Sequence, residues 1–289
     1  MCYDNNNVSL FFLAFAGNSE GKEFSMYRFV EKPNLPEGKV KMVLAGEIYL
    51  DTLRLDRQGI EAIGISKSPF LDAPVASHAD MQVVHLYRDV FMEASVESCK
   101  GNQHYMQNSD VSWCKVNKLV ESGVSVLRGD SMLSPEYPAC AAYNVLLFGK
   151  LAVFNPKCLD SALKKALISL QYQPVFVKQG FSRCSVCVVS QNAVITSDTG
   201  IAKALRDCGV DVLLIRPGYI ELPGYDTGFI GGASFKISND TVAFTGRLNA
   251  HPDYDQILAF LKKHQMRSCI LSSKPVFDIG SAIPIIEEV

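Results

Sequence analysis

One supersecondary unit recurs along this chain, and it constrains the fold more than any other feature. The unit is a hairpin of two apolar segments, an amphipathic helix and a closing apolar strand. Its clearest copy starts at Cys184, where alternating CSVCVVS meets a turn at Gln191-Asn192 and a second segment, AVIT. A cap at Asp198 or Thr199 opens a helix whose apolar residues Ile201, Ala204, Leu205 and Cys208 keep the spacing of one buried face. Gly209 ends it as a C′ residue, and Val210–Ile215 reads as a buried strand.

The same order returns from Gly231. There ASFKI, a turn at Ser238-Asn239-Asp240 and TVAFTG precede a cap at Asp253, a helix carrying Tyr254, Ile257, Leu258 and Leu261, and a closing SCIL. A third copy begins at Ala142, with a cap at Asp160, helix residues Leu163, Ala166, Leu167 and Leu170, and a closing strand at Pro174–Val177. A fourth starts at Met81 and holds a longer loop around Glu97–Asn108, a helix near Val111–Glu121 and the strand VSVL. The fifth is split between the chain ends: Val276–Ile286 supplies one strand, and Lys41–Ala45, a helix around Ile48–Arg57, Gly59 and Ile60–Ile65 supply the rest.

Units of about 40–50 residues mark propellers and arrays, and a unit completed by both chain ends closes a ring and removes exposed sheet edges. The pattern therefore predicts an α/β fold, a five-bladed ββαβ propeller closed by pairing of N- and C-terminal segments. The alternative is a doubly wound α/β sheet, which accounts for the helices but not for the hairpin before each one. Residues 26–289 are expected to form a single propeller domain after an N-terminal extension of residues 1–25, with Met26 as an alternative start.

A net charge of −2 gives no reason to expect nucleic acid or a membrane surface as partner. The apolar stretch Val8–Ala16 is preceded by Asp4 and by no Lys or Arg, the wrong sign for an export signal. The nine cysteines lack metal-type pairing, and Cys184 and Cys187 would point to opposite faces of a strand. Scattered cysteines of this kind are usually small buried hydrophobes in a reducing compartment, so a cytoplasmic protein is expected. No cofactor motif is present: Gly231-Gly232 lacks phosphate-loop spacing and leads into a strand. No cofactor or metal is therefore expected.

Three short segments carry a family resemblance. Phe181-Ser182-Arg183-Cys184 before an apolar hairpin resembles the Phe-x-Arg-Asp stretch of arginine deiminases and amidinotransferases. Ile230-Gly231-Gly232-Ala233-Ser234-Phe235, a turn and TVAFTGR look like their Glu-Gly-Gly-Asp hairpin, and His78-Ala79-Asp80-Met81 is similar to their His-x-Asp segment. The resemblance, to the pentein superfamily of guanidine-modifying enzymes, implies a five-bladed propeller with its site in a central channel. In that family a cysteine thiolate attacks a guanidinium carbon, a histidine moves protons, and carboxylates hold the flat cation.

The departures are as informative. Cys184 stands where the first carboxylate is expected, and Ile230 and Ala233 stand where the acids of the glycine pair are expected. The closing segment Asp278-Ile279-Gly280-Ser281 has no nucleophilic cysteine. Burying a guanidinium without those acids would leave its donors unpaired, so guanidine chemistry of the usual kind is not expected.

His78 with Asp80 suits proton transfer or metal ligation, with turn chemistry as the plain alternative. On a strand these two share a side and His85 points away. Cys140, which begins a hairpin, is the alternative nucleophile. Asp226 and Asp278 stand beside glycines and replace the lost acids if they face the channel; otherwise they serve turns. With Arg183, Gly231 and Gly232 from the resembling segments, they make up the expected ligand-binding set. The expected function is pentein-like binding of a small polar molecule in the channel. A divergent C–N hydrolase and a non-catalytic scaffold are the alternatives.

Overall fold

The structure is a computed structural model that describes residues 26–92 and 123–289. The expected N-terminal extension, the loop at 97–108 and the helix at 111–121 lie outside the described residues.

The chain opens with β1 (Tyr27–Phe29), β2 (Lys39–Gly46), a single turn α1 (Leu50–Leu53) and β3 (Glu61–Ile65). Next come β4 (Val83–Leu86), β5 (Asp89–Met92) and β6 (Ser125–Arg128). The third unit is β7 (Leu146–Phe148), β8 (Leu151–Phe154), α2 (Ser161–Ser169) and β9 (Gln173–Phe176). The fourth opens with a short helical turn, α3 (Ser182–Ser185), then β10 (Val186–Ser190), β11 (Ala193–Thr196), α4 (Thr199–Asp207) and β12 (Asp211–Leu214). The fifth is β13 (Ser234–Ser238), β14 (Thr241–Phe244), α5 (Tyr254–Lys263) and β15 (Arg267–Ile270), before the final strand β16 (Ala282–Glu288).

These strands form five separate small sheets. In four of them the first two strands pair antiparallel and the third joins parallel to the second, the strand order expected from the ββαβ repeat, and in three of the four the helix between the second and third strands is described. The remaining sheet has the order β1-β16-β2-β3, so both chain ends build it. Five small sheets exclude the alternative of one doubly wound sheet. Strand β13 contacts β10, β16 and β2, which brings leading strands of different sheets together.

The helices form where a capping acid meets an apolar stripe. Asp160 accepts from the Leu163 amide at 2.9 Å, and its other oxygen accepts from the amides of Asp130 and Ser131. Asp198 caps α4 through the Ile201 amide at 2.8 Å. Asp253 departs from its expected role: its side chain makes no cap bond to α5. Its carboxylate instead accepts from the Arg216 backbone amide and guanidinium at 2.6–2.9 Å. Arg216 offers the carboxylate three donors, two of them cationic, where a helix cap would offer a single amide.

The buried stripes follow the sequence. Ile201 and Leu205 of α4 pack with Val194 and Val212, and Ile257 and Leu261 of α5 pack with Val242 and Phe244. At the first sheet, buried Glu287 accepts from the amides of Glu37 and Gly38 and pairs with Arg28 at 2.9 Å. Among the described residues no helix is long and apolar enough to cross a membrane.

Candidate functional site

One strand of each sheet is preceded by a tight turn, and the polar residues of interest sit in these turns. They are 78–81 before β4, 139–144 before β7, Ser182–Ser185 before β10, 229–233 before β13 and 278–281 before β16. Hydrogen bonds join them in succession. The Asn144 side chain donates to the Asp80 carbonyl at 3.1 Å and accepts from the amides of Arg183 and Cys184. The Gly232 amide donates to the Cys184 carbonyl, and the Ser281 amide donates to the Gly232 carbonyl, both at 2.8 Å. The Asp80 amide then donates to the Gly280 carbonyl at 3.1 Å, which returns the circuit to its start.

This packing leaves no room for side chains at the glycine pair. A Cβ on Gly231 would overlap the backbone of Cys184 and Val186, and one on Gly232 would overlap the Asp278 carboxylate. The two glycines therefore serve close approach of the turns. Ile230 and Ala233, at the positions of the missing acids, are buried in an apolar cluster with Cys187, Ile195 and Phe244.

The circuit holds a buried polar cluster. One ligand-type atom each from His78, Asp80 and Cys184 lie within 4.8 Å of one another. The Cys184 thiol donates to Asp80 Oδ2 at 3.1 Å and lies 2.9 Å from the Asn144 amide nitrogen. Asp278 Oδ1 is 3.8 Å from His78 Nδ1, and Asp278 is itself held by the amides of Phe229 and Gly280. All four of these groups are at most 3% exposed. Two atoms in the cluster, His78 Nε2 and Asp80 Oδ1, are buried with no hydrogen-bond partner.

The electrostatics are those of buried acids. Burial raises the Asp80 pKa, with His78 opposing and Asp278 reinforcing. Burial, then Asp80 and Asp278, push the Cys184 thiol well above its ordinary value, so it is a neutral donor. Tyr49 packs edge-on against His78, and burial with the two carboxylates pushes its hydroxyl up to about 12. Arg183 is fully buried, and desolvation lowers its pKa. Its guanidinium donates to the Gly231 and Val186 carbonyls and to Ser281 Oγ, so it ties three turns together.

The expected site residues divide accordingly. His78, Asp80 and Asp278 converge, and Arg183, Gly231 and Gly232 adjoin them as structural members of the circuit. Asp226 is exposed, and Cys140, in the turn before β7, is not among the ligand-type atoms that meet; burial and then Cys158 raise its thiol pKa. The thiol that joins His78 and Asp80 is Cys184, which in sequence stands at the place of a lost acid and looks like a small buried hydrophobe. Its position in the Phe-Ser-Arg-Cys segment was the available signal. Asn144 carried none, because an asparagine before a strand has no motif around it. His78 and Asp80 do not share a strand with His85: His78 stands just before, and Asp80 within, a one-turn 3-10 helix, Ala79–Met81.

His85 lies on β4 with Nε2 on the Tyr87 carbonyl, and burial pushes its pKa down to about 4. An unfolded chain, with a histidine pKa near about 6.5, binds a proton in the interval that the folded chain refuses. The stability linked to His85 is therefore complete above about pH 6.5 and is lost as pH falls toward about 4, a change of about 3 kcal/mol. Urea unfolding at stepped pH checks this: His85→Gln is expected to flatten that part of the profile, and an unchanged slope would contradict it.

The sequence profile of the family described as "family of unknown function (DUF6873)" matches residues 49–283. No curated protein sequence matches the chain significantly. Among solved structures, the inosamine-phosphate amidinotransferase from Streptomyces griseus superposes with a TM-score of 0.53 at 10% identity, covering 89% of this chain and 97% of that one. An agmatine deiminase variant from C. jejuni with substrate bound gives 0.52 at 9% identity, covering 93% and 98%. Both belong to the pentein superfamily, and the likeness shows that this chain has their fold.

Proposed function

The chain belongs to the family of unknown function DUF6873, and on that premise we propose that it is a pentein-fold binding protein whose centre takes a small cationic ligand. We read the five sheets as blades of one closed propeller spanning 26–289, with the hydrogen-bonded circuit of turns as its hub. The observation that carries the reading is the convergence of His78, Asp80, Cys184 and Asp278 in one buried cluster that leaves His78 Nε2 and Asp80 Oδ1 without partners. Buried polar atoms nearly always have partners, so a ligand that supplies them fits this centre. Two carboxylates favour a cation. The usual guanidine substitution is not expected, because the glycine-pair acids are replaced by Ile230 and Ala233 and the Cys184 thiol is held protonated.

Thermal unfolding with guanidinium, L-arginine and agmatine tests this. A ligand at about 100 times its Kd stabilises a folded chain by about 2.7 kcal/mol, and at least one probe is expected to raise the Tm saturably in the natural chain but not in Asp80→Asn. No response to any probe, or an equal response in the variant, sinks the proposal.

One observation favours a C–N hydrolase as a second reading: a thiol lies within reach of an imidazole and a carboxylate. Ammonia release from agmatine that stops in Cys184→Ala would establish it. The scaffold reading calls for an apolar plug at the centre, and the polar cluster weighs against it.

A further inference from the structure

Resting on that reading of the centre as a ligand site, we infer that it binds a divalent transition-metal cation through His78, Asp80 and Cys184. The donor set is one imidazole nitrogen, one carboxylate oxygen and one thiolate sulfur, the mixture that suits zinc-like ions and not magnesium or calcium. In a tetrahedral site with bonds of about 2.0–2.3 Å, ligand atoms stand about 3.3–3.8 Å apart. The three candidate ligand atoms already lie within 4.8 Å of one another, with Sγ and Asp80 Oδ2 at 3.1 Å. Side-chain movements of about an ångström would bring them onto one ion.

Three further observations point the same way. His78 Nε2 and Asp80 Oδ1 are the cluster's two unpartnered buried atoms, and both are metal-ligating types. Behind the imidazole, Asp278 Oδ1 lies 3.8 Å from Nδ1 and is fixed by two backbone amides. A carboxylate behind a ligating histidine orients the ring and raises its basicity. Asp278 is thus a positioning residue. On the sulfur side, the Asn144 amide nitrogen at 2.9 Å supplies a donor to a thiolate. Three protein ligands leave a fourth position open for water or the small ligand of the proposed function.

Binding exchanges one bond for another. The Cys184 S–H bond breaks, a sulfur–metal bond forms, and the proton leaves to buffer without any redox change. Affinity therefore falls as pH is lowered. Sequence spacing could not reveal this site, because Cys184 lies 104 positions from Asp80 and no paired motif frames it.

The test is titration of the full chain with Co2+ after chelator treatment under reducing conditions. The expected result is one cobalt per chain, a near-ultraviolet thiolate-to-cobalt band, intense visible bands of a four-coordinate ion, and displacement by Zn2+. Cys184→Ser is expected to lose the near-ultraviolet band, whereas Cys208→Ser, at an exposed thiol, keeps it. Asp278→Asn is expected to keep the band and weaken binding roughly 10–100-fold. Circular dichroism melts confirm that each variant is folded, and the natural chain's own titration stands if one is not. No cobalt spectrum in the natural chain, or an unchanged one in Cys184→Ser, overturns the inference.

Thermal shifts with the organic cations, run on the same chelator-treated protein, separate the two proposals. A response there without cobalt binding sinks the metal site and leaves the ligand reading standing. Cobalt binding without any organic response, even after metal is restored, upholds the metal and removes the organic ligand.

Discussion

Asn144→Ala is expected to lower the unfolding free energy by about 3–5 kcal/mol, measured by urea denaturation near neutral pH. Asn144 is the hinge between three turns. Its amide nitrogen serves the Asp80 carbonyl and the Cys184 sulfur, and its oxygen accepts from the amides of Arg183 and Cys184. All of these groups are buried. Truncation leaves two amides and a carbonyl without partners where water has little access, and each such orphan costs about 1–3 kcal/mol. The sum is not additive, since the turns relax together, which is why the expected loss falls short of the full count. A loss below about 1 kcal/mol, within what surface substitutions produce, would mean that the turns are not joined through this side chain.

The second large effect lies at Gly280, which combines a left-handed backbone with a crowded neighbour. Its φ is +68°, and a Cβ there would overlap the Cα, Cβ and Cγ of His78. Gly59 has the same φ of +68° with nothing within 4 Å. The pair forms an internal control. Gly59→Ala is expected to cost only the backbone preference, about 1–2 kcal/mol. Gly280→Ala adds an overpacking cost, for a total of about 2–5 kcal/mol. It also pushes His78 from its place opposite Asp278, so the response to cations should vanish with it. Equal losses at the two glycines would show that the His78 contact yields freely.

How much of this was legible in the sequence depends on the range of the interaction. The hairpin–helix–strand units were readable because alternation and helical spacing are local, and the caps at Asp160 and Asp198 needed only an acid before an apolar stripe. Asp253 looked the same locally, yet Arg216, far away in sequence, took its carboxylate. Residues 184–185 continue an alternating run that predicts a strand, but they close the one-turn helix Ser182–Ser185. Asn144 accepts the Arg183 and Cys184 amides there, and the Ser185 amide returns to the Phe181 carbonyl. Such a turn is fixed by tertiary partners that a short pattern cannot show.

The site followed the same rule. His78 and Asp80 stand close together in sequence and suit proton transfer or metal ligation as a pair. Cys184 and Asn144 joined them only because the turns before successive leading strands meet. A hairpin start marks Cys140, and neighbouring glycines mark both Asp226 and Asp278. Neither criterion contains information about which turns face one another.

The most direct test of the central claim is a crystal structure of the full chain at a resolution that separates side-chain ligands from solvent. His78, Asp80, Cys184 and Asp278 are expected to converge there, with ligand or ion density contacting His78 Nε2 and Asp80 Oδ1 and lying beside the Cys184 sulfur. Those two atoms hydrogen-bonded instead to surrounding protein, with the thiol turned away from them, would contradict it.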